Sequence, residues 1–307
     1  MALLRDFCYR NDVVALWDTP MSDHTSFRIG GPADALLMPD SEKKLIDSVA
    51  FLRREKIPYR LIGNGTNLLV SDAGFRGAIV CTRHIRSVSA VGCTVRASTG
   101  TPLNVLCRTL ADLSLGGMES VYGIPGTVGG ALVMNAGAFG GEISDALQFV
   151  SVFHPETGRI ETVRASEAGF AYRKSIFKES PFAPILSAEF LLCYRNTEKI
   201  REKMKQILKC RMEKQPTALP SAGSTFLRPS VGYAAQWIEE AGLRGYRVGG
   251  AAVSIKHTGF IVNLGGATAR DVLCLIEKIR DTVEKRFGVL LTPEIEYIEE
   301  RSHDLFE

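Results

Sequence analysis

The 307-residue sequence has no C-x-x-C pair, no H-E-x-x-H run and no long uninterrupted apolar stretch. Its seven cysteines (Cys8, Cys81, Cys93, Cys107, Cys193, Cys210 and Cys274) are odd in number and scattered. That pattern argues against a disulfide framework and against a zinc site, and fits reduced thiols in a cytoplasmic protein. Only five histidines occur, none at metal-ligand spacing, so no metal is expected. No apolar run approaches the roughly 18 residues of a membrane span. Arg5 and Asp6 interrupt the apolar core that a signal peptide would need. Net charge is only +3, without a basic tail, so neither nucleic acid nor a membrane is an expected partner. The densest basic stretch, Arg201 to Lys214, is broken by Glu202 and Glu213. It reads as a solvated helix face, with an anion-attracting surface near a substrate as the alternative.

What is present is ordinary in bulk: 45% hydrophobic and 23% charged residues, enough for more than one core. Residues 35–39 look extended, and Asp40 or Ser41 can cap a helix to about Lys56, with Leu45, Val49 and Leu52 on one face. Tyr59 to Ile62 completes a β-α-β unit. The β-branched stretch from Gly77 to Gly100 predicts short antiparallel strands, and Thr101 to Leu115 a helix. Further strands are expected at 147–153, 159–163 and 185–194. A charged helix at 197–214 carries Ile200, Met204, Ile207 and Leu208 as its apolar stripe, and the main domain boundary is placed near 196–215. Beyond it come a helix near Tyr233–Ala241, strands near 247–254 and 259–264, and a helix from Ala269 to Phe287. Thr268 with Asp271 forms a capping box there, and Gly288 a stop. A last strand spans Val289–Ile298.

The 29 glycines are clustered. L-I-G-N-G-T-N-L-L-V at 61–70 follows a predicted strand but does not open a helix, so it is not a dinucleotide fingerprint. Its backbone N–H groups suit phosphate oxygens, and a plain tight turn is an equal reading. The stretch 122–143 holds Gly123, Gly126, Gly129, Gly130, Gly137, Gly140 and Gly141. Each glycine loses much entropy on folding, so an ordinary turn does not call for seven. Bare backbone lets the chain approach a large flat ligand and its phosphates, with an irregular glycine-rich hairpin as the alternative.

Seven stretches in order, from about 20 to 298, resemble the UDP-N-acetylenolpyruvoylglucosamine reductase (MurB) family. They are T-S-F-R-I-G-G-P-A (25–33), G-N-G-T-N-L-L-V (63–70), G-I-P-G-T-V-G-G-A with M-N-A-G-A (123–138), Y-R-K-S (172–175), P-S-A-G-S-T-F (220–226), G-G-A-A-V-S with K-H-T-G-F (249–260) and T-P-E-I (292–295). The resemblance implies an α+β protein. A two-lobed FAD-binding domain of the p-cresol methylhydroxylase/vanillyl-alcohol oxidase type would span 1–200, its lobes about 1–75 and 76–200. An α+β substrate-binding domain at 201–307 would return its last strand toward the active site. FAD would be bound non-covalently, since neither glycine loop contains histidine, and NADPH would be the hydride donor. The first loop would contribute Gly63, Asn64, Gly65, Thr66, Asn67 and Leu68 to FAD binding. The second would contribute Gly123, Ile124, Pro125, Gly126, Thr127, Gly129, Gly130, Asn135, Ala136 and Gly137.

The implied activity is NADPH-dependent reduction of UDP-N-acetylglucosamine enolpyruvate to UDP-N-acetylmuramate, in peptidoglycan precursor synthesis, by a monomer acting on a UDP-sugar. Hydride addition at one enolpyruvyl carbon leaves negative charge at its neighbour, which must be stabilised and protonated. By the resemblance Ser224 is the proton donor, Arg173 polarises the substrate, and Glu294 assists. Read locally, Ser224 is equally a loop or capping hydroxyl, Arg173 a surface ion-pair residue, and Glu294 a solvated strand residue sharing a face with Glu296. Ser224 is not in a nucleophile elbow, because Ala222 stands where the first glycine belongs. Tyr172, Arg228, Tyr233, Gln236, Arg247, Lys256 and His257 are candidate substrate contacts, and for the K-H pair a structural role is an equal reading. The sequence departs from the family at Leu227, where lysine is common, and at Phe139, where tyrosine is frequent. The short span from Arg173 to Ser224 resembles the form lacking an extra tyrosine-bearing loop. An FAD-linked oxidase of the same fold and a non-catalytic UDP-sugar binder are the other readings.

Overall fold

Ser41 starts the first long helix by a side-chain cap: its Oγ accepts the Lys44 N–H, and the helix runs Glu42–Arg54. The computed structural model describes residues 1–300; the 301–307 end of the expected substrate-binding unit lies outside the described residues. Leu45, Val49 and Leu52 are buried, as their spacing predicts. They pack on a four-stranded sheet in the order Val14–Pro20, Pro32–Met38, Phe75–Cys81, Tyr59–Ile62. The first pair is antiparallel and the rest are parallel. Phe75–Cys81 is therefore not one of the antiparallel strands expected from Gly77 onward. It inserts between two sequence-earlier strands, and both its neighbours run alongside it.

The second sheet is fully antiparallel: Arg159–Arg164, Leu147–His154, Ile185–Leu191, Thr94–Ser98, Val88–Val91. The helix Leu103–Asp112 lays Leu103, Leu106 and Leu110 into the same core as this sheet. Helix Thr197–Lys214, capped by Asn196, adds Ile200 and Met204 to that core. The unit boundary expected at 200 thus runs through a helix that packs on the middle of the chain. Within the second glycine stretch a six-residue helix, Val128–Val133, forms with Thr127 as its cap.

The C-terminal core is built on the strands Arg247–Val248, Ala251–Val253 and Ile261–Asn263 and the helix Ala269–Phe287. That helix has the expected Thr268–Asp271 capping box and ends at Gly288 with φ +67°. Fully burying each of Val272, Leu275, Ile279 and Val283 stabilises by roughly 1.5–3 kcal/mol relative to exposure. Two ties bring the unit onto the first sheet's lobe. The Asp72 carboxylate accepts the Ala269 and Arg270 N–H groups at 2.7 and 3.0 Å. The last strand, Glu296–Ile298, pairs in parallel with Leu68–Val70. It is shorter than the expected Val289–Ile298, because residues 292–294 bond to a loop instead. Among the described residues no helix is long and apolar enough to cross a membrane.

Candidate active site

Three chain segments meet beside the first glycine loop. The Leu227 N–H donates to Thr292 O and the Glu294 N–H to Thr225 O, so P-S-A-G-S-T-F lies antiparallel to T-P-E. Asn67 then clamps the last strand: its Nδ2 donates to Glu294 O at 3.1 Å, and its carbonyl accepts the Glu296 N–H at 2.9 Å. Thr225 is the structural hydroxyl of the motif. It is fully buried, and its Oγ1 accepts the Ile261 N–H. The neighbouring Ser224 is exposed to a cavity of about 660 Å³, which Arg173 and Glu294 also line.

Arg173 arrives from a tight turn. Ala171 and Lys174 bond reciprocally through their backbones, and Arg173 at the tip adopts φ +55°. A non-glycine residue in that region costs free energy and persists only where its surroundings hold it. Here Arg173 Nε donates to Glu294 Oε1 at 2.6 Å, and its Nη2 donates to Gly137 O at 3.1 Å. The pair joins residues 121 apart, and the side chains are only 19% and 12% exposed. Burial pushes the Glu294 carboxyl above the usual carboxylate range, against the opposing pull of Arg173. Glu296 also reaches the cavity but makes no such pair among the described residues, which separates it from Glu294.

The expected FAD residues divide into two groups. Gly63, Asn64, Gly65, Thr66, Asn67, Leu68, Gly123, Ile124, Pro125, Gly126, Thr127, Gly130, Ala136 and Gly137 line the cavity. Gly129 and Asn135 sit behind it. A Cβ on Gly129 would fall 2.1 Å from Thr99 Oγ1, so this glycine serves helix packing. Asn135 is buried and donates to Glu142 Oε2 and Ala171 O, which braces the turn that presents Arg173.

The lining fits FAD on two counts. Among the described residues the N–H groups of Asn64, Gly65, Thr66 and Asn67, which line the cavity, meet no protein acceptor, so they remain open to the oxygens of a pyrophosphate. Gly126 and Gly130 have room: an added Cβ would meet no protein atom closer than 3.9 and 3.6 Å. It would instead project into the cavity.

Of the substrate candidates, Tyr172, Arg228 and Tyr233 come together outside the lining. The Arg228 guanidinium lies over the Tyr172 and Tyr233 rings at 5.6 and 5.1 Å, next to Arg173 over Tyr172 at 5.0 Å. The Arg228 N–H donates to Tyr172 Oη. Gln236, Lys256 and His257 are not brought to the cavity. Gln236 bonds to Glu240 along its own helix, and Lys256 Nζ donates to Met212 O. His257 accepts the Gly259 N–H and packs edge-on to Phe260, and burial lowers its pKa. Arg247, at the edge of its short sheet, is exposed and does not line the cavity. Ser26, Arg28, Arg211, Gln215 and Ser221 line the cavity without having been singled out. For Ser26 and Arg28 the signal was their place in T-S-F-R-I-G-G-P-A. Ser26 Oγ donates to Ser221 O at 2.6 Å.

Comparison with known proteins agrees with this geometry. A family model described as FAD binding domain matches residues 33–164. A second, described as UDP-N-acetylenolpyruvoylglucosamine reductase, C-terminal domain, matches residues 215–298. A UDP-N-acetylenolpyruvoylglucosamine reductase from Caldanaerobacter subterraneus is 48% identical over 282 residues, 92% of this chain and 93% of its own. One from Clostridium botulinum strain Okra is 41% identical over 288 residues, 94% of each chain. The crystal structure of MurB from Thermus caldophilus superposes with a TM-score of 0.78 at 34% identity, covering 93% of this chain and 98% of that one. The expected fold class, an FAD-binding domain followed by a C-terminal α+β domain, is the one observed. Sequence likeness along nearly the whole length, with open N–H groups and a glycine-lined cavity suited to FAD, places this chain in the UDP-N-acetylenolpyruvoylglucosamine reductase family as a flavin-dependent oxidoreductase.

Proposed function

We propose that the protein reduces the enolpyruvyl ether of UDP-N-acetylglucosamine to the lactyl ether of UDP-N-acetylmuramate, with NADPH as the electron source. The reading includes peptidoglycan precursor synthesis, a cytoplasmic location and a monomeric state. It treats the chain as two FAD-binding lobes followed by a substrate-binding unit. When bound, FAD supplies the hydride chemistry, accepting a hydride from the nicotinamide and delivering it to one enolpyruvyl carbon. Arg173 meets the negative charge that then develops on the substrate's enol-carboxylate portion. Glu294 holds that guanidinium in place. Ser224, which lines the cavity, donates the proton to the neighbouring carbon, which completes the saturated product. The raised Glu294 carboxyl retains its proton to higher pH than an exposed one, a property suited to restoring the serine hydroxyl. Tyr172, Arg228 and Tyr233 form a cationic, aromatic rim for the UDP-sugar.

The observation that carries this reading is the 2.6 Å pair of Arg173 and Glu294 on the wall of an FAD-sized, glycine-lined cavity that Ser224 also faces. The test is Ser224→Ala. NADPH should still bleach the flavin absorbance, while turnover of the enolpyruvyl substrate falls by roughly 10²-fold or more. Wild-type turnover in the variant would remove Ser224 from the proton step. A purified protein that neither holds FAD nor can be reconstituted with it would remove the reading as a whole.

A further inference from the structure

Y-R-K-S brings Arg173 to the cavity wall, and the two residues after it go elsewhere. Lys174 is exposed and pairs with Glu179 at 3.5 Å. Ser175 is fully buried. It stands at the N-cap position of the short helix Ile176–Glu179, where a serine ordinarily turns its side chain onto its own helix. Ser175 does not cap that helix. Its Oγ donates instead to Val133 O at 2.8 Å, across 42 positions. Val133 is the last residue of helix Val128–Val133, and among the described residues no other group donates to that carbonyl. The serine thus satisfies the end of one helix rather than the start of its own.

A second bond joins the same two segments. Asn135, just past that helix end, donates from Nδ2 to Ala171 O at 3.1 Å, and its carbonyl accepts Arg173 Nη1 at 3.4 Å. Asn135 itself adopts φ +42°, and its Oδ1 is buried without a partner. An unpaired buried acceptor lowers stability, which the bonds from Nδ2 to Ala171 and Glu142 must offset. The two ties therefore lie on either side of Arg173, at residues 171 and 175. Between them the Arg173 backbone sits at φ +55°, a conformation that persists only where neighbours over-determine it. Gly130, Ala131, Val133 and Met134, on or just after the same helix, line the cavity. The helix that bounds the cavity also fixes where the arginine stands.

We propose that Ser175 and Asn135 are positioning residues for Arg173: they dock its turn on the end of helix Val128–Val133 and so set the guanidinium against Glu294. Both act through Arg173. The consequence for turnover rests on the proposed role of Arg173, and the docking itself does not.

The test uses the FAD-loaded full chain as wild type, Ser175→Ala, Asn135→Gly, Arg173→Met and the double variant Ser175→Ala with Arg173→Met. Ser175→Ala removes one oxygen, and Asn135→Gly removes the amide while leaving the left-handed backbone accessible. One readout is the Glu294 carboxyl, followed by carbon NMR. Arg173 pulls its pKa down against the effect of burial. A displaced guanidinium should therefore let Glu294 titrate about half a pH unit higher, or more, in Ser175→Ala and in Asn135→Gly. The other readout is the pair of half-reactions. In Ser175→Ala, NADPH should reduce the flavin at close to the wild-type rate. Reoxidation by the enolpyruvyl substrate should slow by about 10- to 10²-fold, the cost of misplacing a group by a fraction of an ångström to one ångström. In the Arg173→Met background Ser175→Ala should slow it no further, since no guanidinium is left to misplace.

An unmoved Glu294 titration in Ser175→Ala would overturn the proposal. Equal slowing of both half-reactions would also overturn it and make Ser175 a support of the cavity helix alone. Wild-type reoxidation in Arg173→Met, with the Glu294 titration shifted in Ser175→Ala, would be a different failure. It would remove the proposed role of Arg173 and leave its docking in place.

Discussion

Arg173 and Arg211 put two guanidinium groups on the wall of one cavity, and the protein surrounds them in opposite ways. Arg173 is met by Glu294 at 2.6 Å and by the Gly137 carbonyl, although its own backbone is strained at φ +55°. Arg211 has relaxed helical surroundings, yet two of its nitrogens have no partner. The first is pre-organised before any ligand arrives, which suits a group that must stabilise charge appearing only during reaction. The second keeps one side-chain partner, Gln215, and among the described residues its other two nitrogens are left unpaired. Burial alone does not make an arginine catalytic; what satisfies it separates the two roles.

The comparison breaks most visibly in turnover. Arg173→Met should lower kcat/KM for the enolpyruvyl substrate by about 10²–10³-fold, the typical cost of losing one charge-stabilising donor. It should leave reduction of the flavin by NADPH near wild type. Steady-state rates and bleaching of the flavin absorbance by NADPH would show it, and equal loss in both half-reactions would remove Arg173 from the charge-stabilising role. The apoproteins should also diverge. Arg173→Met strands Glu294 without its counter-charge and should lower stability by up to about 3 kcal/mol in urea melts, less than a fully buried pair would lose.

A smaller effect comes from Gly123. Its φ is +83°, and an added Cβ would press on Arg211 Nε at 3.1 Å. Gly123→Ala should cost about 1–2 kcal/mol of stability from the left-handed backbone. A variant as stable as wild type would show that neither the left-handed backbone nor the close approach to Arg211 requires glycine there.

The smallest effect is a pH dependence. Glu294 has a raised pKa because of its burial, so the carboxyl lowers stability as it ionises. Its contribution is fully present below the ordinary carboxylate range and is lost as pH rises through the folded value. Glu294→Gln should therefore gain stability relative to wild type as pH rises from about 4 toward neutrality, where 4.3 is near an unperturbed glutamate. A difference that shrinks over that window would mean that Arg173 outweighs burial.

Much of the local structure was legible before any coordinates. Helices Thr197–Lys214 and Ala269–Phe287 and strand Tyr59–Ile62 occur at the expected bounds. Caps and apolar stripes are local signals, and Asn196, Thr268 and Gly288 act within a few residues of themselves. The helix Ala2–Arg10 and the strand Val14–Pro20 have no strong local signal, and the strand alternates only between half-buried and exposed residues. Pairing direction was not legible either. Phe75–Cys81 has the β-branched composition of its neighbours in sequence, but its partners come from earlier in the chain. In the site, the resemblance pointed to Ser224, Arg173 and Glu294, while Arg211 was hidden in a charged run that reads as a solvated face.

By itself the sequence determined where helices start and stop, that two glycine-rich segments would expose backbone, and which family the chain resembles. These follow from short-range geometry and from residue order, which no folding step alters. Only the tertiary structure decided which of two nearby glutamates meets Arg173, that Thr225 and not Ser224 is the buried hydroxyl, and that Arg211 turns inward with no carboxylate paired to it among the described residues. Those outcomes depend on segments more than 100 residues apart closing on one another, as Arg173 and Glu294 do across 121 positions. Burial and charge pairing are properties of that closure, and a linear order of residues does not contain them.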